Sequence, residues 1–423
     1  MDARIAAAAA AATLVAVGVV LVASGVPLGG GAGGGAAMTE RWVSDTGTGI
    51  GANHHAVAAG VVGGEGFAFA PVSGPAGSEE CRLAALDGAT GETRWRDPVA
   101  PEHCTLHSVA DPAVADADGD GDRELLAATT AEELAVYDAR SGEVERRLPL
   151  NSYGYSRPAV GDLAGDGTPE TLAVDAGGTV FAYRANGTLA WRHALNGSAY
   201  APPGVGDFTG DGTDEFAVGL GTDRVVLFDA GGRVVWERAA FGESVAWTAT
   251  ADVAGDDAAE FVIATTAGTV AALDGRTGEA VWTRDIDEFA AVRGVGDGDG
   301  DGDPEVYAVA RDQRLRALDG ATGETEWTVD LAEGDAQMTP PPAFGDVDGD
   351  GHPEVVAVTN GGTVSVVDPV EGRVTATYAR DVSVFTHPTL ADVDGDGAAE
   401  VFVMYGDGRV VSIGAAGGGG GDG

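Results

Sequence analysis

Past its first thirty residues the chain shows no helical periodicity. Its apolar residues fall in short, β-branched, partly alternating runs such as Glu170-Thr171-Leu172-Ala173-Val174. Such runs, bounded by Gly- and Asp-rich breaks, predict strands. The breaks are of two kinds, and both recur. One is an acidic loop, D-x-D-x-D-G-x-x-E, whose copies start at Asp116, Asp162, Asp207, Asp252, Asp297, Asp346 and Asp392. The other is a tight turn ending in tryptophan, Ala85-Leu86-Asp87-Gly88-Ala89-Thr90-Gly91-Glu92-Thr93-Arg94-Trp95, which returns at Ala272 to Trp282 and Ala317 to Trp327. Weaker forms are Tyr137 to Arg146, Tyr183 to Trp191, Phe228 to Trp236 and Val367 to Ala376.

Asp-Gly and Thr-Gly supply the positive φ that a hairpin turn needs. The tryptophan falls on the strand after it, where a large ring can cover a neighbouring sheet. One unit is therefore strand a, acidic loop, strand b, short turn, strand c, Gly turn, strand d. Four antiparallel strands in about 45 residues make a propeller blade. Seven units carry the acidic loop, and His55 to Trp95 repeats the strand order without it. The last unit ends near Ile413 without a strand d, while Thr39-Glu40-Arg41-Trp42 reads as an orphan strand d. The expectation is an all-β propeller of eight blades spanning 39–413, closed by this N-terminal strand, with seven blades as the alternative.

The acidic loops have the chemistry of a Ca²⁺ site. Calcium takes six to eight hard oxygens in flexible geometry, and a curled loop can bring alternate carboxylates together. Four copies keep every element. Their ligand positions are Asp116, Asp118, Asp120, Asp122 and Glu124; Asp297, Asp299, Asp301, Asp303 and Glu305; Asp346, Asp348, Asp350, His352 and Glu354; and Asp392, Asp394, Asp396, Ala398 and Glu400, the fourth position of each set acting through its carbonyl. Three copies are damaged. They retain Asp162, Asp166, Thr168 and Glu170; Asp207, Thr209, Asp211, Thr213 and Glu215; and Asp252, Asp256 and Glu260, with Ala164 and Ala254 replacing carboxylates and Asp257 replacing the glycine. Four good calcium sites and three weak or empty ones are expected.

The net charge is −43, and all 24 basic residues are arginine. The loops explain only part of that acidity. Such a surface repels nucleic acid and anionic membranes. With lysine absent and Ala, Val, Asp and Gly abundant, the chain resembles proteins of extreme halophiles, where concentrated salt screens self-repulsion. Ile5 to Ser24 is an uncharged, Ala-rich run. It predicts a cleaved signal or a membrane anchor within 1–28, followed by a Gly/Ala-rich tether over 29–38. The Gly-rich tail, 414–423, predicts disorder. Either N-terminal reading places the propeller outside the cell or at its surface, where Cys81 and Cys104 are expected to form a disulfide, with paired buried thiols as the alternative.

The acidic loops resemble the FG-GAP/VCBS repeats of integrin α-chain propellers and microbial surface proteins. The D-G-x-T-G-E-x-x-W units resemble the repeats of quinoprotein (PQQ-type) propellers. Together the two patterns cover about 39–413. The resemblance implies a propeller with calcium loops on the face opposite its usual ligand face. It does not imply catalysis, because both repeat types occur in non-catalytic scaffolds.

On that reading the d-to-a connections surround the ligand mouth. They carry His54, His55, His107, Tyr153, Tyr155, Arg157, Tyr200, Trp247, Phe289, Arg293, Met338, Phe385 and His387. Aromatics and arginine suit sugar stacking or peptide anchors; side chains that merely plug the channel are the plainer explanation. His54 and His55 are candidates to meet His387 across the closing blade, with plain channel-lining imidazoles as the favoured alternative. The function expected is a secreted or membrane-tethered calcium-binding module that binds a cell-surface protein or glycan, or scaffolds envelope assembly, and does not bind nucleic acid. The alternative is an enzyme on the same fold, a PQQ-dependent dehydrogenase or a polysaccharide lyase, although no catalytic pair stands out.

Overall fold

The computed structural model describes residues 38–334 and 336–415. They form eight four-stranded antiparallel sheets, each ordered a-b-c-d. In blade 1 these strands are Ala58–Val62, Glu65–Val72, Arg82–Asp87 and Thr93–Pro98. Six further blades follow, with strands a at Ala113–Ala115, Ala159–Gly161, Gly204–Gly206, Val245–Ala251, Ala291–Gly296 and Ala343–Gly345. Blade 8 takes Thr389–Ala391, Glu400–Met404 and Val410–Ala415 from the end of the chain. Its strand d is Met38–Val43, which pairs antiparallel with Val410–Ala415. The eight-blade count and the N-terminal closure are thus both observed. The segment 1–28, the tether up to residue 37 and the tail from residue 416 lie outside the described residues. Among the described residues no helix is long and apolar enough to cross a membrane.

Burial follows from the stacking of sheets around an axis. Strands b are covered on both faces, so Glu215–Leu220 and Glu260–Thr265 are buried throughout. Strands d are outermost and alternate, as in Thr93–Pro98. The apolar clusters lie between neighbouring blades. One joins blades 1 and 2 through Phe69, Leu83, Leu125 and Tyr137. Another closes the ring between blades 8 and 1 through Trp42, Val72, Leu86 and Phe402.

The tryptophans lock each blade to the next. Trp95 donates its indole N–H to Ala139 O, 3.0 Å away in the c–d turn of blade 2. Trp191, Trp236, Trp282 and Trp327 repeat this contact to Ala230, Gly275, Gly320 and Pro369. In all eight blades a register shift in strand d, just before this position, leaves one unpaired residue, such as Arg94 before Trp95. Bulges of this kind re-aim the next side chain, here towards the neighbouring blade. Blade 2 lacks the tryptophan, and Arg146 takes its place by donating to Ala185 O of blade 3. Blade 7 has Ala376 there, and blade 8 has no c–d turn for a ring to reach, because its strands c and d come from opposite ends of the chain.

Candidate functional site

An antiparallel meander puts its a–b and c–d turns at one face and its b–c and d–a connections at the other. The acidic loops join strands a and b, so they share a face with the tryptophan-bearing turns. Each loop is shaped by its first aspartate. Asp116 accepts backbone N–H groups from Gly119 at 2.6 Å and Gly121 at 3.0 Å. The closing glutamate points inward, where Glu124 Oε2 accepts from Ala117 N at 2.7 Å.

The four intact loops differ from the three damaged ones in geometry as well as sequence. Carboxylate oxygens of Asp116, Asp118 and Glu124 lie within 4.8 Å of one another, as do those of Asp346, Asp348 and Glu354, and of Asp392, Asp394 and Glu400. The Asp297 loop gathers four, with Asp299, Asp301 and Glu305. Asp120, Asp350 and Asp396 stand outside these groups, as do the side chains of Asp122, Asp303, His352 and Ala398. Among the described residues the loops at Asp162, Asp207 and Asp252 form no such cluster. In the last of these, Asp257 holds a positive φ of 68° where the other loops have glycine.

The gathered residues fit a hard dication. Burial foremost, with neighbouring aspartates adding, pushes Glu124 and Glu354 up to about 7. Bound positive charge would relieve that cost. Among the described residues no arginine pairs with the carboxylates of the Asp297 or Asp346 loop. The other two intact loops are different: in the Asp116 loop Arg146 Nη2 lies 2.8 Å from Asp118 Oδ2, and the Asp392 loop is held more fully. Arg41 is the bulged residue of the closing strand, and its Nη1 lies 2.6 Å from both Asp394 Oδ2 and Glu400 Oε1.

On the opposite face, blade connections converge on a cavity of about 360 Å³ at the channel mouth. Its lining includes His54, His55, Tyr155, Arg157, Tyr200, Trp247 and Phe385, together with Phe289 and Met338. His107 packs against His54 and Tyr155, and Tyr153 bonds to Tyr200. Arg293 and His387 lie in a second cavity of about 270 Å³, which also touches Asp111 and Arg157. Two of these residues are placed differently from expectation. Trp247 and Arg293 lie on the long inner strands of blades 5 and 6, not in connections.

Asp111 was not singled out in the sequence, yet it organises the site. Its Oδ1 accepts from Ala56 N and from His55 Nδ1, both at 2.9 Å. Its Oδ2 lies 3.4 Å from His387 Nε2. Burial pushes this carboxyl upward, but bonds from His387 and His55 overcome that and hold it well below the usual range. The expected meeting of His387 with His54 and His55 is therefore corrected. His387 reaches His55 only through Asp111, and the third imidazole beside His54 and His55 is His107. Burial, then the neighbouring imidazole, lowers His54 to about 4 and His107 to about 3. Burial and the nearby Arg157 lower Arg293 to about 10. Among the described residues neither Arg157 nor Arg293 forms a direct ion pair, and the single Asp111 carboxylate in their cavity offsets only part of their charge, so the channel beneath the mouth is net positive inside a strongly acidic protein.

Two cysteines sit beside this face. Cys81 and Cys104 are joined as a disulfide, with Cα atoms 5.4 Å apart. It ties the end of the b–c connection of blade 1, just before strand c, to the connection that carries His107.

Comparison with known proteins agrees with the repeat pattern. Residues 221–420 match the PQQ_2 family model, described as outer membrane protein assembly factor BamB. The matched stretch, somewhat under half of the chain, is similar to BamB-like, PQQ-type repeats. No curated protein matches the chain significantly. Among solved structures, BamB from Moraxella catarrhalis has a TM-score of 0.61 at 15% identity, covering 89% of this chain and 99% of that one. The V. cholerae biofilm matrix protein Bap1 has a TM-score of 0.66 at 15% identity, covering 91% and 92%. The quinohemoprotein alcohol dehydrogenase of Comamonas testosteroni has a TM-score of 0.62 at 14% identity, covering 90% and 77%. At these identities the likeness is one of fold.

Proposed function

We propose that this chain is a calcium-braced propeller, exported and held at the cell surface, that binds a partner protein at the channel mouth. The observation that carries this reading is the mouth cavity. It combines rings of Tyr155, Trp247 and Phe385 with Tyr200, Phe289 and Met338, which are 44%, 43% and 40% exposed. Leu106 and Phe241 add exposed apolar surface in other connections of the same face. Aromatic anchors around a preformed cavity are the usual core of a binding surface. Below them, Arg157 and Arg293 suit an anionic group at the tip of the inserted segment. Two of the solved relatives are named as an outer membrane assembly factor and a biofilm matrix protein, and both names support a surface role. The calcium loops, on the other face, act as braces. A disulfide in so small a loop, and an acidic surface that tolerates high salt, fit an extracellular setting.

The test is site-specific photocrosslinking in the native host. A crosslinker at position 200 or 289 gives a discrete adduct, and one at the exposed position 303 on the calcium face gives none. Adducts only from position 303 would refute the assignment.

A second reading is favoured by the buried cluster of Asp111, His55 and His387 beside two unpaired arginines. It is an enzyme acting on an acidic polysaccharide or carrying a quinone. Cleavage of such polymers, or quinone absorbance in the purified protein, would support it.

A further inference from the structure

The three imidazoles at the mouth hold their lone pairs against one another, and hydrogen bonding fixes how. His54 Nδ1 lies 2.9 Å from Ala52 O. A carbonyl can only accept, so Nδ1 carries the proton and Nε2 the lone pair. His55 Nδ1 lies 2.9 Å from the Asp111 carboxylate. The same logic leaves its Nε2 unprotonated in the neutral ring. Both of these nitrogens face His107 Nδ1, at 2.8 Å and 3.2 Å. A single N–H on His107 can point well at one lone pair, not at two.

We infer that His54, His55 and His107 form a binding site for a borderline transition-metal dication such as Zn²⁺. A metal bound through His54 Nε2, His55 Nε2 and His107 Nδ1 answers all three lone pairs, with the His107 proton on Nε2. In a tetrahedral site with Zn–N of about 2.0–2.1 Å, ligand nitrogens stand roughly 3.3 Å apart. The observed separations are close to that spacing, and all three atoms lie within 4.8 Å of one another. The outer contacts are those a metal-binding histidine uses: Asp111 behind His55 and a backbone carbonyl behind His54 orient the rings and raise their basicity. An all-imidazole set selects zinc, copper or nickel over calcium, which the oxygen-only loops on the other face suit instead. Three protein ligands leave a fourth position, and His54 and His55 line the mouth cavity, so that position is open to water or to a donor group from a bound ligand. The disulfide holds the segment that supplies His107. None of this depends on a partner protein occupying the mouth.

The experiment uses Co²⁺ as the probe. The full chain is kept in excess calcium, stripped of transition metals and titrated with Co²⁺ alone. One equivalent per chain binds with the intense visible bands of four-coordinate cobalt, and Zn²⁺ displaces it. His107→Ala removes the bands and weakens binding at least 100-fold. Asp111→Asn keeps the ligands and weakens binding about 10–100-fold. Circular dichroism in calcium verifies that both variants fold. The proposal is overturned if the wild-type chain shows no four-coordinate bands, or if folded His107→Ala keeps them.

Discussion

The indole Nε1 of Trp42 donates to the carbonyl of Gly88 at 2.8 Å. The two residues are 46 apart in sequence, and this bond joins blade 8 to blade 1. Trp42 belongs to the strand that begins the described chain, and its ring lies over Gly91, whose φ is +71°. The same bond links most other pairs of neighbours, but at this seam the two ends of the chain meet. Closure therefore rests on a strand, a ring and one glycine turn.

Trp42→Ala removes both the ring and its hydrogen bond. Substitutions of this size in a core cost about 3–5 kcal/mol. Denaturant unfolding should show that loss, and limited proteolysis should release the N-terminal strand before any other. Trp327→Ala should cost a similar amount without freeing the strand.

Gly323→Ala is expected to be more harmful than Gly300→Ala. Both positions have positive φ, +68° and +80°, but a Cβ at 323 would stand 2.5 Å from Trp282 Cε3, while nothing lies within 4 Å at 300. The backbone cost is shared, of order 1–3 kcal/mol. The collision with the ring adds to it only at 323, and comparison of the two melting curves isolates that term.

Arg41→Ala should tighten calcium binding at the Asp392 loop. The guanidinium holds Asp394 and Glu400 in the place a dication would take, so calcium must displace the arginine there and binds that loop more weakly, filling it last. Calcium titration of the variant should show a stronger site, and Asp394→Asn added to it should abolish that gain.

Salt should stabilise the chain apart from any specific ion. With a net charge of −43, screening of self-repulsion shortens from about 10 Å at 0.1 M to about 3 Å at 1 M salt. Melting temperature should rise alike in sodium and in choline chloride, at fixed calcium.

The sequence showed much of this, and the reasons are physical. A period near 45 residues fixed the blade, and the orphan Thr39-Glu40-Arg41-Trp42 marked the seam. Position-by-position comparison of the acidic loops separated the four that gather carboxylates from the three that do not. The role of Asp111 was hidden because Ala110-Asp111-Pro112 reads as an ordinary turn. Its partners, His55 and His387, come from blades 1 and 8, brought together only by radial closure. The pairing of His54 with His107, 53 residues away, was hidden for the same reason. The bulges before each tryptophan leave no compositional mark. Arg146 in place of a tryptophan looked like a lapse in the motif, and the structure shows it making the same contact.

The division of labour between the faces depends on the loops holding calcium as braces. Each site bound only by the folded state adds about 2.7 kcal/mol at a hundredfold excess of ligand over its Kd. The direct measurement is equilibrium dialysis of the chain against calcium at constant ionic strength, paired with melting before and after chelation. The account predicts four calcium ions per chain at saturation, fewer by one in each of Asp299→Asn and Asp348→Asn, and a large fall in melting temperature on chelation. An unchanged melting curve, or no saturable calcium, would contradict it.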